Sequence, residues 1–198
     1  MSIKYMTRIN RFSIGTLTTA SLLLLAGCAP LIVGAGVGAS AIISEDRRTS
    51  GAMLEDKTIE IKALKLIKNN LGENNSIKVH SFNRYTLLVG QVASEEKRIE
   101  AEDLTMEVSN VRQAQNEIEI AGEASSISKN NDGFIKARVL GNFVKDQDVK
   151  SQYFKIIVES GVVFLMGLVT QEEGKTASKV AANTTGVKKV ITVFEYLD

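Results

Sequence analysis

From about residue 54 onward, apolar positions recur in two rhythms, and the whole series occurs twice. Ile59, Ala63 and Ile67 are spaced by four, as are Ile135, Val139 and Phe143. That spacing keeps one side of a helix apolar and predicts helices over 54–71 and 132–144. A period of two follows. Ile77, Val79 and Ser81 alternate with polar residues, as do Phe154, Ile156 and Val158. Asn83-Arg84 and Ser160-Gly161 occupy the turn into a second strand, 87–92 in one copy and 162–169 in the other. The second turn has the stronger hairpin chemistry, because glycine accepts positive φ. The helical rhythm then returns with Ala101, Leu104, Thr105 and Val108, matched by Ala177, Val180, Ala181 and Thr184. Steps of 3, 1 and 3 make one stripe, and small residues on it let the helix lie close to a sheet. Strands over 114–120 and 190–197 close each copy. A strand–helix–strand step implies a right-handed crossover and parallel pairing.

The soluble part is therefore a duplication. Asp56 and Ile59 match Asp132 and Ile135 at an offset of 76. Leu88-Val89-Gly90 matches Leu165-Met166-Gly167 at 77, and Val111-Arg112 matches Val187-Lys188 at 76. Each copy is short but long enough to fold as a small domain, and 123–131 (EASSISKNN) has linker composition. The acidic pairs Glu95-Glu96 and Glu172-Glu173 stand where the second helices begin. The helix dipole favours negative charge there, and Thr170-x-x-Glu173 fits a capping box. They read as caps rather than as an acid–base pair.

The pattern of Asp132 and Ile135, then Glu159-Ser160-Gly161-Val162-Val163 with Leu165-x-Gly167-x-Val169, then Gly186-Val187-Lys188-Lys189-Val190 resembles a BON domain. Copy one departs from it at Asn83-Arg84-Tyr85, where the hairpin glycine is absent, but keeps Gly90 and Val111. The resemblance implies an α+β fold of two tandem BON domains. Each would be αββαβ, a three-stranded mixed sheet with two helices packed on one face. The expected division is 1–27 signal peptide, 28–53 acylated tether, 54–122 first domain, 123–131 linker and 132–198 second domain.

The N-terminal pattern differs. Lys4, Arg8 and Arg11 precede an apolar-to-neutral run of 13 residues, 14–26, which includes four consecutive leucines. The run is shorter than the roughly 20 residues of a membrane span and has the parts of an export signal. It ends at Leu25-Ala26-Gly27-Cys28, which resembles the lipobox of bacterial lipoproteins. That resemblance implies cleavage before Cys28, diacylglyceryl on its sulfur and acylation of the new amine. Ala29, rather than Asp, follows the cysteine, which implies the outer membrane, facing the periplasm. Two or more chains give stable anchoring. Cys28 is the only cysteine, so there is no disulfide framework or cysteine metal site.

Charge and the remaining motifs mostly exclude. Residues 1–27 hold three of the 24 Lys+Arg and none of the 23 Asp+Glu, so 21 basic residues face 23 acidic ones after cleavage, a formal net charge of −2. That is no field for nucleic acid. Gly34-Ala35-Gly36-Val37-Gly38-Ala39 matches a loose dinucleotide loop but has no room for the strand that must precede it. The stretch 31–43 reads as a tether, and Glu45-Asp46-Arg47-Arg48 as the point where the chain enters water. His80 is the only histidine. It excludes a His cluster or Ser–His triad and reads as a surface strand residue. No cofactor, metal site or catalytic set is expected, and the chain reads as a non-enzyme.

Differences between the copies are better candidates for function than what they share. Thr58 corresponds to Phe134 and Lys68 to Val144. Phe134, Leu140 and Val144 lie off the inward stripe of their helix, Lys136, Arg138 and Lys145 flank them, and Gly141 thins one side. Apolar residues edged by cations suit a helix that dips into an anionic bilayer surface. Packing of Phe134 and Val144 against the first domain or the linker explains them equally well. The BON resemblance favours lipid, since it implies anionic phospholipid (phosphatidylglycerol-like) bound by this helix, and a role in outer-membrane integrity and cell division. The alternative is a module that docks an outer-membrane assembly or division protein.

Overall fold

The computed structural model describes residues 46–72, 75–121 and 128–197, all within one compact unit, Glu45–Asp198. The export signal, Cys28, the glycine run and most of the tether lie outside the described residues.

Helix α1 (Ser50–Leu71) begins a turn earlier than its apolar stripe, because the Thr49 side chain accepts the Ala52 N–H at 3.1 Å and caps it. Gly72 ends it at φ 74°. Its buried residues are Asp56, Ile59, Ala63, Ile67 and Leu71, the predicted stripe extended at both ends. Strands β1 (Lys78–Phe82) and β2 (Tyr85–Val92) pair antiparallel. Helix α2 (Glu95–Met106) crosses over, and β3 (Gln113–Ile120) returns parallel to β2. Copy two repeats the order with α3 (Ser128–Lys145), β4 (Phe154–Glu159), β5 (Val162–Val169), α4 (Gln171–Ala182) and β6 (Lys189–Tyr196). Helix α3 starts inside the stretch expected to be linker. Strand orders are β1-β2-β3 and β4-β5-β6, two mixed sheets in an α+β fold.

The acid shared by the two copies holds the hairpins. Asp56 accepts the N–H groups of Asn83 at 2.8 Å and Arg84 at 2.7 Å, and Asp132 accepts those of Ser160 at 2.9 Å and Gly161 at 2.8 Å. Both turns have two residues at positive φ: 50° and 66° in copy one, 52° and 83° in copy two. Left-handed backbone costs a residue such as Arg84 roughly 1–2 kcal/mol. Charge-assisted hydrogen bonds to Asp56 offset that cost, which is how copy one keeps the hairpin without its glycine. At α4 the capping box is complete, with Thr170 and Glu173 satisfying each other's backbone. Glu173 of the acidic pair is the residue that completes the cap.

Gly90 answers to close approach. Its φ is 117°, and a Cβ there would stand 2.2 Å from the carbonyl oxygen of Ser76. Gly90→Ala is expected to cost more than about 1 kcal/mol, read as a lower midpoint in chemical denaturation. An unchanged midpoint would contradict the geometry.

Three cores follow from the topology. Ile59, Ile67, Val79, Leu88 and Leu104 form one between α1, α2 and the first sheet. Ile135, Val139, Phe143, Ile156 and Leu165 form its counterpart in copy two, with the Phe143 and Phe154 rings edge to face at 5.5 Å. The third joins the copies: Phe82, Leu87 and Val89 from one sheet pack on Ile157, Phe164 and Met166 from the other. Each sheet thus has helices on one face and the other sheet on its second face.

The segment before α1 is fastened to both copies. Arg47 donates to both Glu173 oxygens at 2.6 and 2.7 Å and to the Leu168 carbonyl at 3.1 Å, with its guanidinium 3.9 Å from the Tyr153 ring centre. Arg48 pairs with Asp46 at 2.8 Å and Asp56 at 2.9 Å, and lies 3.8 Å from the Phe82 ring centre. The chain expected to be free tether as far as residue 53 is therefore bound from Asp46 onward.

Candidate functional site

Helix α3 carries all the residues singled out for lipid contact. Ile135, Val139 and Phe143 are fully buried beneath it. At about 100° per residue, Phe134, Ala137, Leu140, Gly141 and Val144 share the arc on the far side. Phe134 is 66% exposed, Leu140 46% and Val144 69%. Neither Phe134 nor Val144 is packed away among the described residues. Lys136 borders this arc on one side, Arg138 and Lys145 on the other, and all three are exposed. Arg138 reaches the Thr185 carbonyl at 3.4 Å, and Lys145 sits in the last turn, where the helix dipole favours a cation.

Gly141 lies in the same arc, and so does Gly133 one turn before Ala137. A Cβ at either position would meet nothing within 4 Å, so packing does not require them. Each lowers helix stability by up to about 1 kcal/mol relative to alanine. They flatten the outer surface, which lets a plane approach the backbone closely. Helix α1 exposes Leu54 and Ile61, but Thr58 stands between them and turns its hydroxyl back to the Leu54 carbonyl at 3.0 Å. Its outer face is interrupted where that of α3 is continuous.

A second group of residues lies where the edge strands β1 and β4 meet, and sequence reasoning missed it. A cavity of ≈ 270 Å³ is lined by Lys78, His80, Asp132, Lys136, Val158 and Glu159, among others. His80 is not a surface residue. Its ring is half-buried, and its Nε2 is buried with no hydrogen-bond partner. Burial, then the charge of Lys155, pushes its pKa down to about 4, with Lys136 and Lys78 acting in the same direction against Glu60. Lys78 pairs with Glu159 across the junction at 2.6 Å. Lys155 crosses the other way, to the Glu60 carboxylate and the Ser81 carbonyl. The signal for this junction was period two: Lys78, His80 and Phe82 alternate with core residues and face the second sheet.

Among the described residues there is no group of three or more His, Cys, Asp or Glu able to hold a metal ion, and no helix is long and apolar enough to cross a membrane.

Residues 55–122 and 131–198 each match the BON domain family. The outer membrane lipoprotein DolP of Haemophilus influenzae is 33% identical over 176 residues, 88% of this chain and 91% of that protein. A protein of Actinobacillus pleuropneumoniae named 21 kDa hemolysin is 31% identical over 155 residues, 77% of this chain and 79% of its own length. With a BON domain in each half and this relative matched almost end to end, the chain belongs to the BON-domain family, as a dual-BON outer-membrane lipoprotein of the DolP type.

Proposed function

We propose that this lipoprotein is a non-enzymatic binder of anionic phospholipid, held on the periplasmic side of the outer membrane by acyl chains on Cys28 and making a second contact through α3. The observation that carries the reading is the exposed apolar arc of Phe134, Leu140 and Val144, edged by Lys136, Arg138 and Lys145. Burying a phenylalanine or valine side chain contributes about 1.5–3 kcal/mol, and each cation near an anionic surface about 1 kcal/mol. Such a site is weak on its own. For an anchored protein the second contact is intramolecular, so a weak site suffices. It would concentrate the protein where anionic lipid accumulates, such as a division site, and so serve envelope integrity and division.

The test is a titration of the protein with phosphatidylglycerol and, separately, phosphatidylcholine micelles, followed by residue-resolved NMR. Shifts along 133–145 with the anionic lipid alone are expected. Phe134→Glu should weaken the response about 10- to 100-fold while the spectrum stays folded, since the ring is mostly exposed. Silence in both lipids would sink the reading and point to a protein partner, such as an outer-membrane assembly component.

A further inference from the structure

The duplication places matching residues on either side of the junction between β1 and β4, and at one pair of positions the match fails. On one side Glu60 of α1 accepts Lys155 of β4 and the backbone N–H of Ser81 at 3.0 Å. The counterparts are Lys136 for Glu60, Lys78 for Lys155 and Val158 for Ser81, at the offsets of 76 for first helices and 77 for strands. One side therefore has a carboxylate between a lysine and an edge N–H. On the other side the carboxylate is replaced by a second lysine.

What remains there is a set of donors facing a cavity. Lys78, Lys136 and Val158 all line it. Ser81 opposes Thr86 as Val158 opposes Val163, in hairpins of the same register. The Ser81 N–H leaves the sheet edge to reach Glu60, so the Val158 N–H projects from the equivalent edge. His80 adds the buried Nε2 without a partner. Buried polar atoms are almost always satisfied, because one left without a partner has lost its hydration and gained nothing in return. Two carboxylates also line the cavity, and both are engaged. Asp132 receives the turn N–H groups of Ser160 and Gly161, and Glu159 is paired with Lys78. Among the described residues Lys136 has no ion-pair partner.

We infer that this cavity binds a phosphate group, which takes the place that the Glu60 carboxylate fills on the opposite side. Lys136 and Lys78 supply charge, and the Val158 N–H and His80 Nε2–H donate to phosphate oxygens. Lys136 also borders the apolar arc of α3, on the side of Leu140, so an anionic lipid seated on that arc can present its phosphate to the cavity. In this form the inference rests on the lipid reading above and adds a headgroup site to which the first domain contributes Lys78 and His80. Free phosphate would meet the same donors.

The test uses the full acylated chain in phosphatidylcholine nanodiscs, with the His80 ring nitrogens and the Val158 amide observed by NMR. Inorganic phosphate is titrated in, and in a second series phosphatidylglycerol is included in the disc. Both are expected to shift the His80 and Val158 signals. Lys136→Glu restores the carboxylate that the opposite side carries and should weaken the phosphate response at least about tenfold. Lys136→Met, which removes the charge without supplying an acceptor, should weaken it as well and keeps the test valid if the glutamate variant misfolds. If phosphatidylglycerol shifts 133–145 while His80 and Val158 respond to neither ligand, the cavity inference falls and the lipid reading stands. If phosphate shifts His80 and Val158 while phosphatidylglycerol leaves 133–145 unmoved, the anion site stands and the lipid reading falls. A phosphate response equal in wild type and both variants overturns the site.

Discussion

Phe164→Asp is expected to separate the two domains without unfolding either. Phe164 is 4% exposed and packs, with Met166 and Ile157, against Phe82, Leu87 and Val89 of the other sheet. It loses a buried ring and gains a carboxylate in an apolar layer. Lost burial contributes about 3 kcal/mol, and a buried charge without a partner costs several more. A loss of at least about 4 kcal/mol is expected, in the range that marks a named structural fault. The ion pairs that link the copies are Lys155–Glu60, Lys78–Glu159, Arg112–Glu195 and, from the segment before α1, Arg47–Glu173. Pairs near the surface contribute about 0–1 kcal/mol each, too little to hold the sheets together. Each domain keeps its own helix–sheet core, so the expected product is two folded domains on a linker. Small-angle scattering should show a larger radius of gyration, and thermal unfolding should split into two transitions. The control is the adjacent residue. Val163 faces the helices and belongs to the core of copy two, so Val163→Asp should unfold that domain. A Phe164→Asp protein with unchanged scattering and one transition at the wild-type temperature would show that the third core contributes little.

That third core explains what could and could not be read from the sequence. The stripes Ile59-Ala63-Ile67 and Ile135-Val139-Phe143 are local patterns that need only their own sheet, and all six residues are fully buried. The second faces of the sheets are buried by a partner distant in the sequence, and a local period of two marks such a face without saying what covers it. A trace was present. Leu87-Leu88-Val89 and Val163-Phe164-Leu165-Met166 are unbroken apolar runs, the pattern of a strand covered on both faces. His80 reads as a surface residue because a polar residue at an alternate position suggests solvent, whereas here the alternate face meets another sheet. Arg47 and Arg48 are bound to the folded domains for a reason the sequence also conceals. Their charge suggested open water, but guanidinium planes lie well on the Tyr153 and Phe82 rings while pairing with carboxylates. The outer arc of α3 was legible because the comparison of copies isolates residues that the fold does not need.

The junction should also make the protein acid-sensitive in two successive windows. Burial and the neighbouring lysines hold His80 at about 4, against 6.5 in an unfolded chain. Folding therefore disfavours its charged form. The stability this represents is complete above pH 6.5 and is lost as pH falls towards 4. Over that window the loss is on the order of 3 kcal/mol. Glu60 is shifted for a different reason. Burial acts to raise its pKa, but hydrogen bonds from Lys155, Lys57 and the Ser81 N–H outweigh it and hold the group at about 2, against 4.5. Its contribution is complete above pH 4.5 and is lost as pH falls towards 2, by a similar amount on the order of 3 kcal/mol. Lys155 stays charged across both windows, although burial lowers its pKa more than Glu60 restores it. Chemical denaturation from pH 8 to pH 3 should show the first loss in wild type. It should be largely absent in His80→Ile, which installs the residue that copy two carries at the matching position, Ile157. Glu60→Gln should flatten the lower window and deepen the upper one, because the Glu60 charge opposes the depression of His80. If His80→Ile follows the wild-type curve between pH 6.5 and pH 4, the ring is titrating in contact with water, and the packing of β1 against β4 is looser than its buried Nε2 implies.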